Sequence, residues 1–186
     1  KHLATDGTER NSFPEPNIPL ALMKGSAGIT SSNLFSTSAI IAVEGWDESL
    51  KSSQEYDLMF RLWKSGAKFE TDPIPRAIIR ERPSGQISQR DPKEKWVQLI
   101  GLRRTMFMAF ETLNLSDNVV LEMKQSLFDR IRTLAEYNLE MALGLYSREK
   151  AMSGFTPQVN ELNTRGYVRL FRLVGFKRTE QLRRFL

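Results

Sequence analysis

Apolar positions over the first 90 residues come in short, interrupted groups, and after residue 91 they settle into helical steps of three and four. Residues 1 to 19 carry Pro14, Pro16 and Pro19 and read as irregular, followed by an apolar patch from Leu20 to Lys24. A short strand is predicted over Asn33 to Phe35, then a helix over Thr37 to Val43. A Gly-Trp-Asp-Glu turn follows, and then an amphipathic helix on which Leu58, Met59 and Leu62 share a face. Ser52 stands three residues before Glu55, the spacing of a capping box, and Gly66 stands where a C-terminal cap belongs. Lys68 to Thr71 and Ala77 to Arg80 are predicted as short strands around an Asp72-Pro73-Ile74-Pro75 turn.

From Asp91 the pattern is helical. Pro92 suits a first helical position, and apolar residues from Trp96 to Phe110 keep helix spacing until Asn114 to Ser116 interrupts it. A long helix is predicted from Asp117 to Tyr146. Its stripe of Val120, Met123, Leu127, Ile131, Leu134, Tyr137, Met141 and Leu145 fits a core or a subunit contact, and so permits a homodimer. Thr156-Pro157 is an N-cap signal for the last helical segment. That segment has Tyr167, Leu170, Phe171 and Val174 on one side and Arg165, Arg169 and Arg172 on the other. Gly175 is predicted to break it before a final short helix near Thr179 to Phe185. The pattern fits a helix lying in a membrane interface and, equally, a helix packed on its own domain with a basic solvated face.

Composition narrows the field. A chain of 186 residues with 40% apolar content buries one core and a helical appendage. The opening at Lys1 suggests a piece of something longer. No apolar run reaches the roughly 18 residues a membrane span needs, and no signal-peptide pattern opens the sequence. Without cysteine there is no disulfide or thiolate metal site, and the single His, His2, leaves no histidine cluster. Charge is uneven: residues 165 to 186 hold seven basic residues against one acid, Glu180, whereas the remainder holds 20 basic and 21 acidic residues. An anionic partner is therefore to be sought at the tail.

Candidate chemistry gathers earlier. Glu55, Asp57 and Asp47 are available acids, Trp46 is a flat apolar surface, and Arg80 and Arg82 could contact an anion. Glu55 and Asp57 lie two apart on a helix and point in different directions, so they are not a matched carboxylate pair. One of them could serve as a general base; both also suit the first turn of an ordinary capped helix. Trp46 could stack on a sugar face or fill a gap between helices.

The ordered run Asn33 to Ile40, Val43-Glu44-Gly45-Trp46-Asp47-Glu48, then Gln54-Glu55-Tyr56-Asp57-Leu58 through Arg61-Leu62 to Gly66 resembles part of a known catalytic domain. It is similar to the second half of family 2 glycosyltransferases, the inverting GT-A group, and Arg82-Pro83-Ser84-Gly85-Gln86-Ile87-Ser88 resembles the loop that closes on the donor phosphates. The resemblance implies an α/β partial GT-A fold that lacks its N-terminal Rossmann-like half, with residues 1–90 as the acceptor-side part. Residues 91–186 would be a mainly helical extension with a basic amphipathic tail.

It further implies sugar transfer with inversion from a nucleotide-sugar to a glycan or lipid-linked acceptor, with Glu55 as general base and Asp57 beside it. Trp46 and Asp47 would bind the acceptor, and Arg80, Arg82 and Ser88 the donor phosphates. A divalent cation, Mg or Mn, would be held mainly by residues outside this chain. Bacterial polysaccharide or cell-envelope synthesis, in the cytoplasm or at the inner face of the membrane, would be the setting. There are departures: Glu55 replaces the family's Asp base and follows Gln54, Glu44 replaces a Gly, Arg82 a frequent His, and no Asp-x-Asp is present. The competing reading is a non-catalytic helical interaction module whose basic tail binds an anionic surface. Peripheral membrane contact through 165–186 fits it better than nucleic acid, for which no recognition motif is present.

Overall fold

The computed structural model describes residues 2–3, 6–11, 13, 15–72, 74, 76–80 and 92–184. They form two compact units, 1–112 and 113–186.

In the first unit, β1 (His2–Leu3) lies between an antiparallel β2 (Glu9–Arg10) and a parallel β3 (Ile79–Arg80). Each strand is two residues long, and Leu3 and Ile79 are only half-buried, so this patch contributes no core. The core comes from helices α1 (Ile18–Lys24), α3 (Gln54–Lys64) and α4 (Pro92–Phe110), with α2 (Thr37–Ala42) resting on α3. Helix α1 forms in spite of Pro19 because a first-turn proline lacks only an N–H that has no intrahelical partner anyway. Asn17 caps the helix by accepting the Leu20 N–H at 3.0 Å, and Gly25 closes it at φ 80°. Leu20 to Met23 are buried, as are Tyr56, Leu58, Met59, Phe60 and Leu62 of α3 and Ile100, Met106, Phe107 and Phe110 of α4.

One charge is built into that core. Arg103 on α4 is 2% exposed; it donates to the Met23 carbonyl at 3.0 Å and lies over the Tyr56 ring at 4.5 Å. A guanidinium can be buried in this way because a carbonyl at the C-terminal end of α1 and an aromatic face both offer negative potential. It joins all three core helices.

The second unit holds α5 (Asp117–Tyr137), α6 (Leu139–Arg148) and α7 (Arg165–Arg183), with a short 3₁₀ turn at Lys150–Met152. The long helix predicted over Asp117 to Tyr146 is broken at Asn138, whose extended backbone (φ −152°) ends α5 and whose side chain accepts the Met141 N–H to cap α6. Phe128 occupies the centre of this unit. The rings of Tyr146, Phe155, Tyr167, Phe171 and Phe176 surround it at 5.6 to 6.4 Å. Gly175 (φ 73°, ψ 174°) breaks α7 where the sequence predicts, a conformation that only glycine adopts without strain.

The α/β fold class, and with it the partial GT-A architecture, is therefore corrected: the described residues are mostly helical, and no sheet core is found among them. Residues 33–35 and 68–71 form no strand, and of 77–80 only Ile79–Arg80 pairs. The physical reason lies in burial. Short apolar runs make strands only where a neighbouring strand completes the hydrogen bonds and another layer covers the side chains. Leu34, the centre of the first run, is fully exposed instead.

Candidate functional site

Most of the expected glycosyl-transfer residues lie around the start of α3. Ser53 is the residue before the helix, at φ 62° and with no side-chain cap bond, so the expected capping box does not form. Ser52 turns toward α4 instead, where its backbone N–H and hydroxyl both meet Gln98 Oε1 at 3.1 Å. Glu55 is half-buried in the first turn, with no hydrogen-bond or ion-pair partner among the described residues. Asp57 is used structurally. It pairs with Arg61 at 2.8 Å, one turn along, and the other end of that guanidinium donates to the Val43 carbonyl. The pair thus ties α3 to the turn after α2, where Glu44 and Gly45 both have positive φ.

Asp47 accepts the backbone N–H and the hydroxyl of Ser49 at 2.9 and 2.6 Å. Those bonds, the hydroxyl's first, hold its carboxyl below the usual carboxylate range. Trp46 is exposed and meets Phe35 edge-on at 6.4 Å. Arg80 is exposed on β3, and Arg82 and Ser88 lie outside the described residues. Gly66, at φ 82°, ends the helical stretch as expected, with its N–H on the Trp63 carbonyl.

The second unit presents a different arrangement. The apolar side of α7 faces inward: Tyr167, Val168, Phe171 and Phe176 are buried, and Leu170 and Val174 half-buried. Glu180, at 1% exposure, faces inward too. Its Oε1 accepts the Tyr167 hydroxyl at 2.7 Å and lies 3.5 Å from Arg132 Nε, within ion-pair range without hydrogen-bond alignment. Its Oε2 takes both Arg183 Nε and Nη2, at 3.1 and 3.0 Å. The Arg132 guanidinium lies over the Tyr167 ring at 4.1 Å, and Arg183 also reaches Glu136 at 3.2 Å. Burial, and then the negative charge of Glu180, push the Tyr167 hydroxyl far above its ordinary pKa, so it acts as a donor throughout the accessible pH range.

The consequence is electrostatic. The single acid of the last 22 residues is turned into the core and occupied there. Arg165, Arg169, Arg172, Lys177 and Arg178 are exposed, and none has an ion pair among the described residues. Leu173 projects between them at 81% exposure, and Leu182 at 45%. The outward surface of α7 is therefore cationic, interrupted by two leucines. Nearby, Leu139, Arg178, Gln181, Leu182 and Arg184 line an open pocket of about 530 Å³. The basic stripe is legible in the sequence. The inward turn of Glu180 is not, because nothing local distinguishes it from a solvated helix acid.

Comparison of the chain with protein-family models, with curated proteins and with solved structures returns no match. The resemblance to family 2 glycosyltransferases is accordingly withdrawn, and with it transfer from a nucleotide-sugar, Glu55 as general base, and the polysaccharide and cell-envelope setting. The fold decides this. A nucleotide-sugar site of the GT-A kind is built at the carboxyl edge of a Rossmann-like sheet, and two-residue strands on a surface patch form no such edge. Among the described residues no three His, Cys, Asp or Glu side chains gather as a metal site. The architecture fits a non-catalytic helical module better than a transferase.

Proposed function

We propose that this protein is a helical binding module that docks on an anionic lipid surface through the outward face of α7. The observation that carries the reading is the separation of charge on that helix: its acid is buried and five cations stand in solvent without ion-pair partners among the described residues. Each Lys or Arg held near an anionic leaflet contributes about 1 kcal/mol, so five give a useful but reversible affinity.

Two features favour lipid over nucleic acid. Leu173 and Leu182 are exposed among the cations, where they can enter the boundary between headgroups and acyl chains. The aromatic residues of α7 that could stack on bases, Tyr167, Phe171 and Phe176, are all buried. No described helix is long and apolar enough to cross a membrane, and the contact proposed is a peripheral one.

Co-sedimentation of the full chain with phosphatidylglycerol vesicles and with phosphatidylcholine vesicles tests the reading. Binding to the first and not the second is expected, with loss of binding in the R169E/R172E/K177E triple variant. Equal sedimentation of wild type and variant overturns it, and so does retention on a DNA or RNA duplex in preference to the anionic vesicles.

A further inference from the structure

Resting on the surface reading above, we infer that the pocket on the second half of α7 is a site for the phosphate group of a single anionic amphiphile. It would hold the phosphate between Arg178 and Arg184, with Leu139 and Leu182 against the adjoining alkyl or glycerol part. Its volume, about 530 Å³, falls within the range that small-molecule sites occupy.

The chemistry of the lining is what identifies the ligand. Arg178 is exposed and has no ion pair among the described residues, so its guanidinium is available to an incoming anion. Arg184 differs: its Nη2 donates to the Ala135 carbonyl at 2.8 Å, near the C-terminal end of α5, which fixes the guanidinium while leaving further N–H groups for a ligand. One adaptable and one anchored guanidinium match the forked recognition of phosphate oxygens. Gln181 adds an amide that can donate to a phosphate oxygen or meet a glycerol hydroxyl. Two leucines complete the lining, and their apolar surface would be idle beside inorganic phosphate. An amphiphile uses both halves of the pocket.

The site also differs in kind from the rest of the cationic face. Arg165, Arg169 and Arg172 precede the break at Gly175 and contribute only diffuse charge, whereas the pocket residues on α7 all follow it. Part of the diffuse attraction is thus carried by residues that the pocket does not use, and the two can be separated.

Calorimetric titration of the full chain separates them, with dihexanoyl phosphatidic acid, dihexanoyl phosphatidylcholine and inorganic phosphate as probes below their aggregation concentrations. Saturable one-to-one binding of the phosphatidic acid is expected, at least tenfold tighter than either other probe. R178Q and L182S should each weaken it at least fivefold, whereas K68Q, on an exposed position of the first unit, leaves it unchanged. Helical circular dichroism of both pocket variants verifies that they fold. Inorganic phosphate binding as tightly as the phosphatidic acid overturns the assignment of an amphiphile, and R178Q binding like wild type overturns the pocket. If anionic vesicles bind while the soluble phosphatidic acid does not, the pocket fails and the surface reading stands. If neither binds, both fail.

Discussion

Glu180 and Arg132 show how much a single buried charge can organise. Glu180 has three partners: a phenol, a guanidinium in ion-pair range, and a second guanidinium reached by two hydrogen bonds. Arg132 is 7% exposed and is held from three sides, by Glu180, by the Tyr167 ring and by the Leu162 carbonyl. Removing one partner of such a pair leaves the other charge buried without compensation, at about 3–5 kcal/mol. Deleting only the phenol hydroxyl leaves the charges balanced and removes one charge-assisted bond, about 1.5–3 kcal/mol. The expected order of destabilisation is therefore E180A well beyond Y167F. All three tryptophans, Trp46, Trp63 and Trp96, belong to the first unit. Amide hydrogen exchange in α5 and α7 is therefore the measurement that reads this change in the unit where it occurs. Equal loss of protection in the two variants would show that Glu180 is no more than the acceptor of a tyrosine bond.

Between the 3₁₀ turn that follows α6 and the start of α7 the chain is ordered by polar contacts rather than by helix. Thr156-Pro157 carries a helix-start signal, yet α7 begins only at Arg165, with Thr164 accepting the Tyr167 N–H at 3.3 Å. The intervening loop is bound to α5. The Gln158 N–H donates to Gln125 at 2.6 Å, and the side-chain amides of Asn160 and Asn163 donate to Asp129 at 2.9 and 2.6 Å. Gln125 donates to the same carboxylate at 2.7 Å. Contacts that span more than 30 residues leave no local trace, whereas steps of three and four do. Hence α3, α4 and α5 were legible in the sequence, as was the Gly175 break, while the Asp129 staple, Arg103 and the Asn138 break were not. The motif run around Glu55 misled for a related reason: it is ordered in sequence, but among the described residues no strands assemble beside it.

Asp129 gives this element a pH dependence. Burial raises its pKa above the ordinary carboxylate value, outweighing the three amide donors that pull it down. The folded state therefore binds the proton more tightly than the unfolded state does. Its stabilising effect is complete below the unfolded pKa and is lost as pH rises through the higher folded pKa. Protection of α5 amides, corrected for intrinsic exchange rates, should fall across that window in the wild type and stay flatter in D129N. A wild-type profile that rises across the same window would reverse the assignment.

At the scale of the whole chain, net charge is +5, but everything before residue 165 sums to −1 and the tail to +6. Docking should accordingly be governed by the tail, and the magnitudes decide how. Five exposed cations at about 1 kcal/mol each contribute about 5 kcal/mol at an anionic leaflet. Leu173, already in solvent, adds at most about 1.5–3 kcal/mol if fully buried there. Because the larger part is electrostatic, it shrinks as the Debye length contracts from about 10 Å at 0.1 M salt to about 3 Å at 1 M. Vesicle binding should thus fall by more than tenfold between these concentrations, and L173A should weaken it less than R169E/R172E/K177E does. Had the apolar side of α7 been free to enter lipid, the opposite would hold, because insertion of Tyr167, Phe171 and Phe176 survives high salt. Those side chains are instead packed around Phe128. Binding undiminished at 1 M salt would therefore require α7 to leave its own core before it reached the membrane.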